Sequence, residues 1–325
     1  MLQKFILLAA MGILCMLYLW LACSPAPRRP GTGTLPVLDE TEVTELLKTP
    51  SVKELTSAME KLRPLHQTIS PPGPSDWLAN HEEPGQTFKE YLASDPVRPT
   101  EERNTIYIQP LGEFTETQQK IVTLTAEFIG IYYNLPVKVG EKLPLSLVPE
   151  DMRRIGPLGL EQVRTGYVLD KILRPRLPDN AVAYIAFTAS DLWPGPGWNF
   201  VFGQASLRYR VGVWSICRFG DPAASDAQFK KTLLRTLKTG THELGHMFSM
   251  YHCTLYECNM CGSNHSEESD RRPVWLCPEC VAKACWATGA QPAARYEKLA
   301  EFCKANGFAA EQAFYEKSVK ELGSK

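Results

Sequence analysis

The run THELGHMFSMYHC, residues 241–253, holds three of the chain's six histidines together with a glutamate and a cysteine. On a helix, residues four apart lie on one face, one turn apart. His242 and His246 would therefore aim two imidazoles at one point. That geometry suits Zn²⁺, which takes imidazole nitrogen at about 2.0–2.1 Å. Glu243 lies beside the first histidine and can reach a water at the metal without ligating the metal. Zinc brings the pKa of such a water down to about 7, so a carboxylate can take its proton at neutral pH. The arrangement is the H-E-x-x-H of metal-assisted peptide hydrolysis. An ordinary helix with two core or surface histidines would carry the same letters, so the residues that follow decide.

His252 comes ten positions after His242, which on a straight helix is about 1000° of rotation and close to a right angle away from the metal. It can join the other two only if the helix stops and the chain doubles back. Ser249 falls inside that turn. Helices often end through a left-handed residue, usually Gly, because other side chains meet a Cβ clash of about 1–2 kcal/mol. The spacing therefore predicts positive φ at Ser249, and predicts that Ser249→Gly raises stability or leaves it unchanged.

Cys253 follows His252 directly. Neighbouring residues on an extended turn point in opposite directions, so His252 can face one metal while Cys253 faces another. Cys258 and the pair in CPEC, Cys277 and Cys280, complete a set with the paired spacing of closed, structural four-cysteine zinc sites. Buried free thiols, or disulfides of an oxidising compartment, are the alternatives. The crowding around a C-x-x-C favours metal. Cys261 and Cys285 lie in the same stretch and could substitute in the site.

At these residues the chain resembles the archaemetzincins, through HELGHMFSMYHC, ECNM, GSNHSEESDRRP and LCPEC. Upstream, SDLWPGPGWNFVFGQA and VGVWSICRF resemble strands of that family. The resemblance runs from about residue 104 to 305. It implies a metzincin-like zinc peptidase fold, with catalytic zinc on His242, His246 and His252 and Glu243 as the general base. It implies a structural zinc on Cys253, Cys258, Cys277 and Cys280, hence two Zn²⁺ per chain, and it makes Met260 the methionine of the turn beneath the catalytic site. Ser249 departs from the pattern, which has glycine there. The apolar N-terminus is a second departure.

The rest of the chain is read for organisation. Its 325 residues suffice for one large domain or two small ones. A net charge of −1 gives no basic field for nucleic acid. Residues 5–23, FILLAAMGILCMLYLWLAC, are unbroken apolar sequence after Lys4. About 20 residues cross a bilayer, and a cleaved signal core has about 7–15. The run is expected to anchor the chain in a membrane. The alternative is a secreted lipoprotein lipidated at Cys23, read from LACS. Residues 1–35 would then be anchor and Pro-rich tether, 36–103 a helical leader, and 104–325 the catalytic domain.

From residue 104 the pattern reads β-α-β-α-β-β-β-α, ending in the long helix that carries His242. In it, GLEQVRTGYVLDKILRPRLP is expected to be one helix. The fold class is α/β (α+β), a mixed twisted sheet backed by helices with a long active-site helix. NFVFG is a candidate edge strand for an extended substrate. Asp191 and Trp193 sit where a loop could overhang the cleft. His265 reads as a surface-loop residue with a possible supporting role at the metal, and Arg271 and Arg272 as a structural pair or a carboxylate-binding one.

The expected activity is zinc-dependent peptide hydrolysis on a peptide or protein substrate by a monomer. The alternative is a non-catalytic, zinc-stabilised peptide-binding or interaction protein, which Glu243 argues against because metal binding alone does not need it. A zinc-ribbon nucleic-acid binder is disfavoured because the cysteine loop sets SEESD against Arg271 and Arg272.

Overall fold

The leader begins with two helices, α1 (Glu40–Lys48) and α2 (Pro50–Leu62), in the computed structural model, which describes residues 38–206 and 209–323. The helical spacing runs straight through this stretch, but Pro50 lacks the N–H needed to continue α1 and instead starts α2 at its first position. Asp39 and Glu42 form a capping box at the start of α1. Residues 66–87 are mostly extended, apart from the single turn α3 (Trp77–Asn80). We call this stretch the strap. It ends at α4 (Phe88–Ala93), capped by Thr87 and Glu90.

The core is built on β1 (Thr105–Leu111), α5 (Glu116–Tyr133), β2 (Val137–Val139), β3 (Arg153–Ile155), β4 (Glu161–Arg164), β5 (Ala181–Thr188), β6 (Asp191–Trp193), β7 (Gly203–Ser206) and β8 (Val211–Ser215). Five strands form one sheet in the order β2-β1-β5-β8-β7. All neighbours in it are parallel except β7, which runs antiparallel to β8 at the edge. Central β5 is buried at every position, as expected for a parallel strand covered on both faces. Ala183, Ile185 and Phe187 join the main core with Ile121, Phe128 and Ile129 of α5. Tyr184 and Ala186 face a second core with Val168, Leu169, Ile172 and Leu173.

The stretch GLEQVRTGYVLDKILRPRLP does not form one helix. Its first part is β4, and the helix follows from Thr165. Strand pairing on both sides overrides the local pattern: β4 lies between β3 and β6 in a three-stranded sheet. The buried Gln162 side chain donates to Asp191 Oδ2 at 2.8 Å and to Asn199 O at 2.9 Å. Asp191 and Trp193 belong to β6 rather than to an overhanging loop. Asp191 is buried and takes a bidentate pair from Arg218 at 2.8 and 2.7 Å.

The chain continues into α6 (Asp226–Met247), whose Leu233, Leu237 and Leu244 join the main core. Then come α7 (Ser266–Arg271), α8 (Pro278–Thr288), α9 (Pro292–Ala305) and α10 (Ala309–Gly323). The architecture is the mixed α/β class expected from the sequence, with α6 as the long helix behind the sheet.

The expectation of a membrane anchor or a lipidated Cys23 is corrected. Among the described residues no helix is long and apolar enough to cross a membrane. Residues 5–23, on which that expectation was built, lie outside the described residues. Helices α2 and α6 each put apolar residues in the core and keep polar residues along the rest of their length.

Candidate active site and cysteine cluster

His242 and His246 lie one turn apart near the end of α6. The helix closes on Phe248, and Ser249 follows in the left-handed region at φ 64°, as its position predicted. Ser249 N–H donates to His246 O at 2.9 Å and Met250 N–H to Gly245 O at 3.0 Å. This crossed pair is the Schellman closure. It reverses the chain and brings His252 back to the other two histidines. Gly245 is required by close approach here, since a Cβ on it would sit 2.6 Å from Met260 Sδ. Met260 is fully buried and lies against the helix at Gly245.

Potential ligand atoms of His242, His246 and His252 all lie within 4.8 Å of one another. His242 Nε2 and His246 Nε2 are 3.1 Å apart. A tetrahedral ion about 2.0–2.1 Å from each nitrogen would set them about 3.3 Å apart. The other ring nitrogens are all engaged. His242 Nδ1–H donates to Asn259 O at 2.7 Å and His246 Nδ1–H to Met250 O at 2.7 Å. A carbonyl can only accept, so Nδ1 carries the proton and each ring, when neutral, has its lone pair on Nε2. His252 Nδ1 meets both Glu83 carboxylate oxygens at 2.8 Å. Three imidazoles in this tautomer form the donor set that zinc takes.

Glu243 is half-buried and lines, with His242, a cavity of about 100 Å³. Phe202, Phe219, Thr239 and Lys238 line the same cavity. Burial brings the Lys238 ammonium down to about 8.

Cys253, Cys258, Cys277 and Cys280 are buried, and their sulfurs all lie within 4.8 Å of one another. Cys253 Sγ and Cys277 Sγ are 3.6 Å apart. Zinc held at about 2.3 Å from each sulfur would set them about 3.8 Å apart. Cys258 Sγ accepts N–H groups from Cys277 at 3.2 Å and Met260 at 3.4 Å. Hydrogen bonds from the neighbouring thiols, Cys258 first, hold the Cys253 thiol far below its ordinary range. Burial pushes the Cys258 and Cys277 thiols up instead, so the fit to a cation rests on the four converging sulfurs. None of the described cysteines is in a disulfide. Cys261 and Cys285 stand outside the group of four. Cys261 Sγ donates to Tyr256 O at 3.2 Å.

Two residues around the histidines went unread in the sequence. Asn259 places its carbonyl on His242 while its side chain donates to Thr241 Oγ1 at 2.8 Å. Glu83 comes from the strap, 169 positions from His252. No local pattern marks either residue, because their roles arise from contacts between distant segments.

Asp76, His265 and Glu268 also lie close enough together to hold an ion, and each is already hydrogen-bonded to protein groups. Asp76 accepts from Arg271 and from Gly73 N–H at 2.8 Å. Glu268 accepts from Trp77 N–H at 3.0 Å and Asn264 N–H at 2.8 Å. His265 caps α7. Arg272 pairs with Glu257 and lies 3.7 Å from Glu268. These groups fasten the strap to the cysteine loop, so Arg271 and Arg272 act as a structural pair.

Ser249 has a hydrogen bond that its sequence did not announce: Val97 N–H donates to its hydroxyl at 3.1 Å. Glycine would relieve about 1–2 kcal/mol of left-handed strain, yet a buried N–H that loses its acceptor costs about 1–3 kcal/mol. The two effects offset. Ser249→Gly is expected to stay within about 1 kcal/mol of wild type. Ser249→Ala keeps the strain, loses the bond and should be less stable by about 1 kcal/mol. Denaturant midpoints decide, and an alanine variant at least as stable as wild type would remove the hydroxyl from the account.

Comparison with known proteins agrees with the geometry. Residues 173–284 match the model of Peptidase family M54. Over 277 residues the chain is 35% identical to Archaemetzincin-2 of Homo sapiens, spanning 75% of this chain and 76% of that one. It is 33% identical over 186 residues to an archaemetzincin of Thermococcus kodakarensis, spanning 55% of this chain and 94% of that one. The crystal structure of an archaemetzincin from Methanopyrus kandleri aligns with a TM-score of 0.46 at 27% identity, covering 59% of this chain and 99% of that one. The family match and the archaemetzincin relatives define a zinc metallopeptidase, a hydrolase acting on peptide or protein substrates. The chain belongs to the archaemetzincin family. Membership in a peptidase family does not favour the alternative of a non-catalytic interaction protein.

Proposed function

We propose that His242, His246 and His252 hold the catalytic zinc of this peptidase, that Glu243 is its general base, and that Cys253, Cys258, Cys277 and Cys280 hold a second, structural zinc. The observation that carries this reading is the arrangement of the histidines: their Nδ1 atoms lie against acceptors, the His242 and His246 Nε2 atoms are 3.1 Å apart, and a ring nitrogen of His252 lies within 4.8 Å of both rings' ligand atoms. Zinc held there would act as a Lewis acid and lower the pKa of a water to about 7. Glu243, on the cavity wall beside His242, receives the water's proton on its carboxylate as the water oxygen bonds to the peptide carbonyl carbon, and passes that proton to the leaving nitrogen as the C–N bond breaks. The neighbouring cavity receives one substrate side chain. The edge position of strand β7 in the five-stranded sheet supports a role in pairing with an extended peptide. This is the role given to NFVFG in the sequence, moved slightly along the chain to Gly203–Ser206.

Elemental analysis of the purified full chain tests the assignment. Two zinc ions per chain are expected, falling to one in His246→Ala with the cysteine site still loaded. One zinc in wild type, or two in His246→Ala, would overturn the two-site reading.

A further inference from the structure

His252 differs from the other two histidines in how it is held. His242 and His246 ride on α6, and their Nδ1–H groups are fixed by carbonyls of the same loop that follows the helix. His252 stands past the reversal at Ser249, beside the exposed Tyr251 and off any helix. Its Nδ1 meets a carboxylate, from a segment distant in sequence.

That segment is itself held on both sides of Glu83. Upstream, Asp76 pairs with Arg271, and Trp77 donates its N–H to Glu268. The Trp77 ring meets His252 edge-on, with centroids 5.3 Å apart. Downstream, Gln86 Oε1 accepts from Tyr251 N–H at 3.2 Å, and Lys283 donates to Gln86 O. Tyr91 OH donates to Phe248 O at 2.8 Å. The strap and α4 thus grip the reversal at Tyr251 and Phe248, and the strap presents Glu83 to the histidine that stands past it.

We propose that Glu83 is a positioning residue for the catalytic metal: its carboxylate orients the His252 ring through Nδ1, so the metal centre is completed by the leader and not by the catalytic segment alone. The inference rests on the reading that the three histidines hold zinc. A carboxylate behind a metal-binding imidazole fixes its tautomer and raises its basicity, and loss of such a partner costs about 10–100-fold in metal affinity or activity.

The test compares the full-length wild type with Glu83→Ala and Glu83→Gln. Zinc affinity of the histidine site is measured by chelator competition with the cysteine site loaded. The visible absorption of Co²⁺ in the histidine site reports ligand geometry. The unfolding midpoint is measured with the histidine site stripped. Glu83→Ala should bind zinc about 10–100-fold more weakly and shift the Co²⁺ spectrum. Its stripped midpoint should match wild type. Glu83→Gln keeps an oxygen that can accept from Nδ1–H, so it should recover most of the affinity. Wild-type affinity and spectrum in Glu83→Ala would overturn the proposal. A loss of affinity accompanied by a lower stripped midpoint, and equally severe in Glu83→Gln, would also overturn it by making Glu83 a fold residue. If His246→Ala binds zinc as tightly as wild type, the histidine assignment itself fails, an outcome separate from the Glu83 result.

Discussion

Glu243→Gln is expected to lower peptide turnover by about 10²–10⁴-fold while the zinc content stays at the wild-type level, as for removal of a general base. Glutamine has nearly the same shape and leaves α6 intact, but it cannot take a proton. Metal should be retained because the three histidines are each held by other partners, Asn259 O, Met250 O and Glu83. Initial rates on a peptide substrate, read beside elemental analysis of the same preparation, make the comparison. Near-normal turnover would remove Glu243 from the chemistry. Loss of the catalytic zinc would make it part of the metal's support.

A second large effect is expected at the other cluster. Cys277→Ser and Cys280→Ser should lose the structural zinc and most of the fold's stability. Structural zinc contributes about 10–16 kcal/mol of apparent binding free energy in small zinc domains. A whole domain is stable by about 5–15 kcal/mol. Both residues are buried, and Cys277 is also the N-cap of α8, so a failed site disturbs the packing of a core helix. The damage should reach the catalytic site, because His252 and Cys253 are adjacent and Cys253 N–H donates to Met260 O at 2.8 Å. His242→Ala should abolish activity with a smaller loss of stability. Thermal unfolding of the variants, each with zinc analysis, separates the cases. A Cys280→Ser protein that melts with wild type and keeps its full zinc would refute the structural role.

Family membership and the site share a physical origin in short-range sequence. The i, i+4 spacing of His242 and His246 needs nothing but a helix. The return of His252 needs a reversal, and the spacing forced it onto Ser249, which is left-handed at φ 64°. The buried run of β5 and the capped helix α5 were also legible, since local hydrophobic pattern and capping residues act within a few positions. So was the gathering of Cys253, Cys258, Cys277 and Cys280, through the pairing of their spacings.

What the sequence did not disclose depends on segments that meet only in three dimensions. Strand β4 carries no strong strand signal and exists because β3 and β6 flank it. Asn259 and Glu83 are ordinary polar residues until the fold brings one under His242 and the other against His252. The Ser249 hydroxyl matters because Val97, 152 positions away, comes to it. The apolar run at 5–23 shows the converse error, in which composition alone suggested an address that the described fold does not support. Local spacing determined which side chains could form the two clusters, because helix and turn geometry repeat over a few residues. Tertiary structure decided which groups orient them, because a hydrogen-bond partner can come from anywhere in the chain.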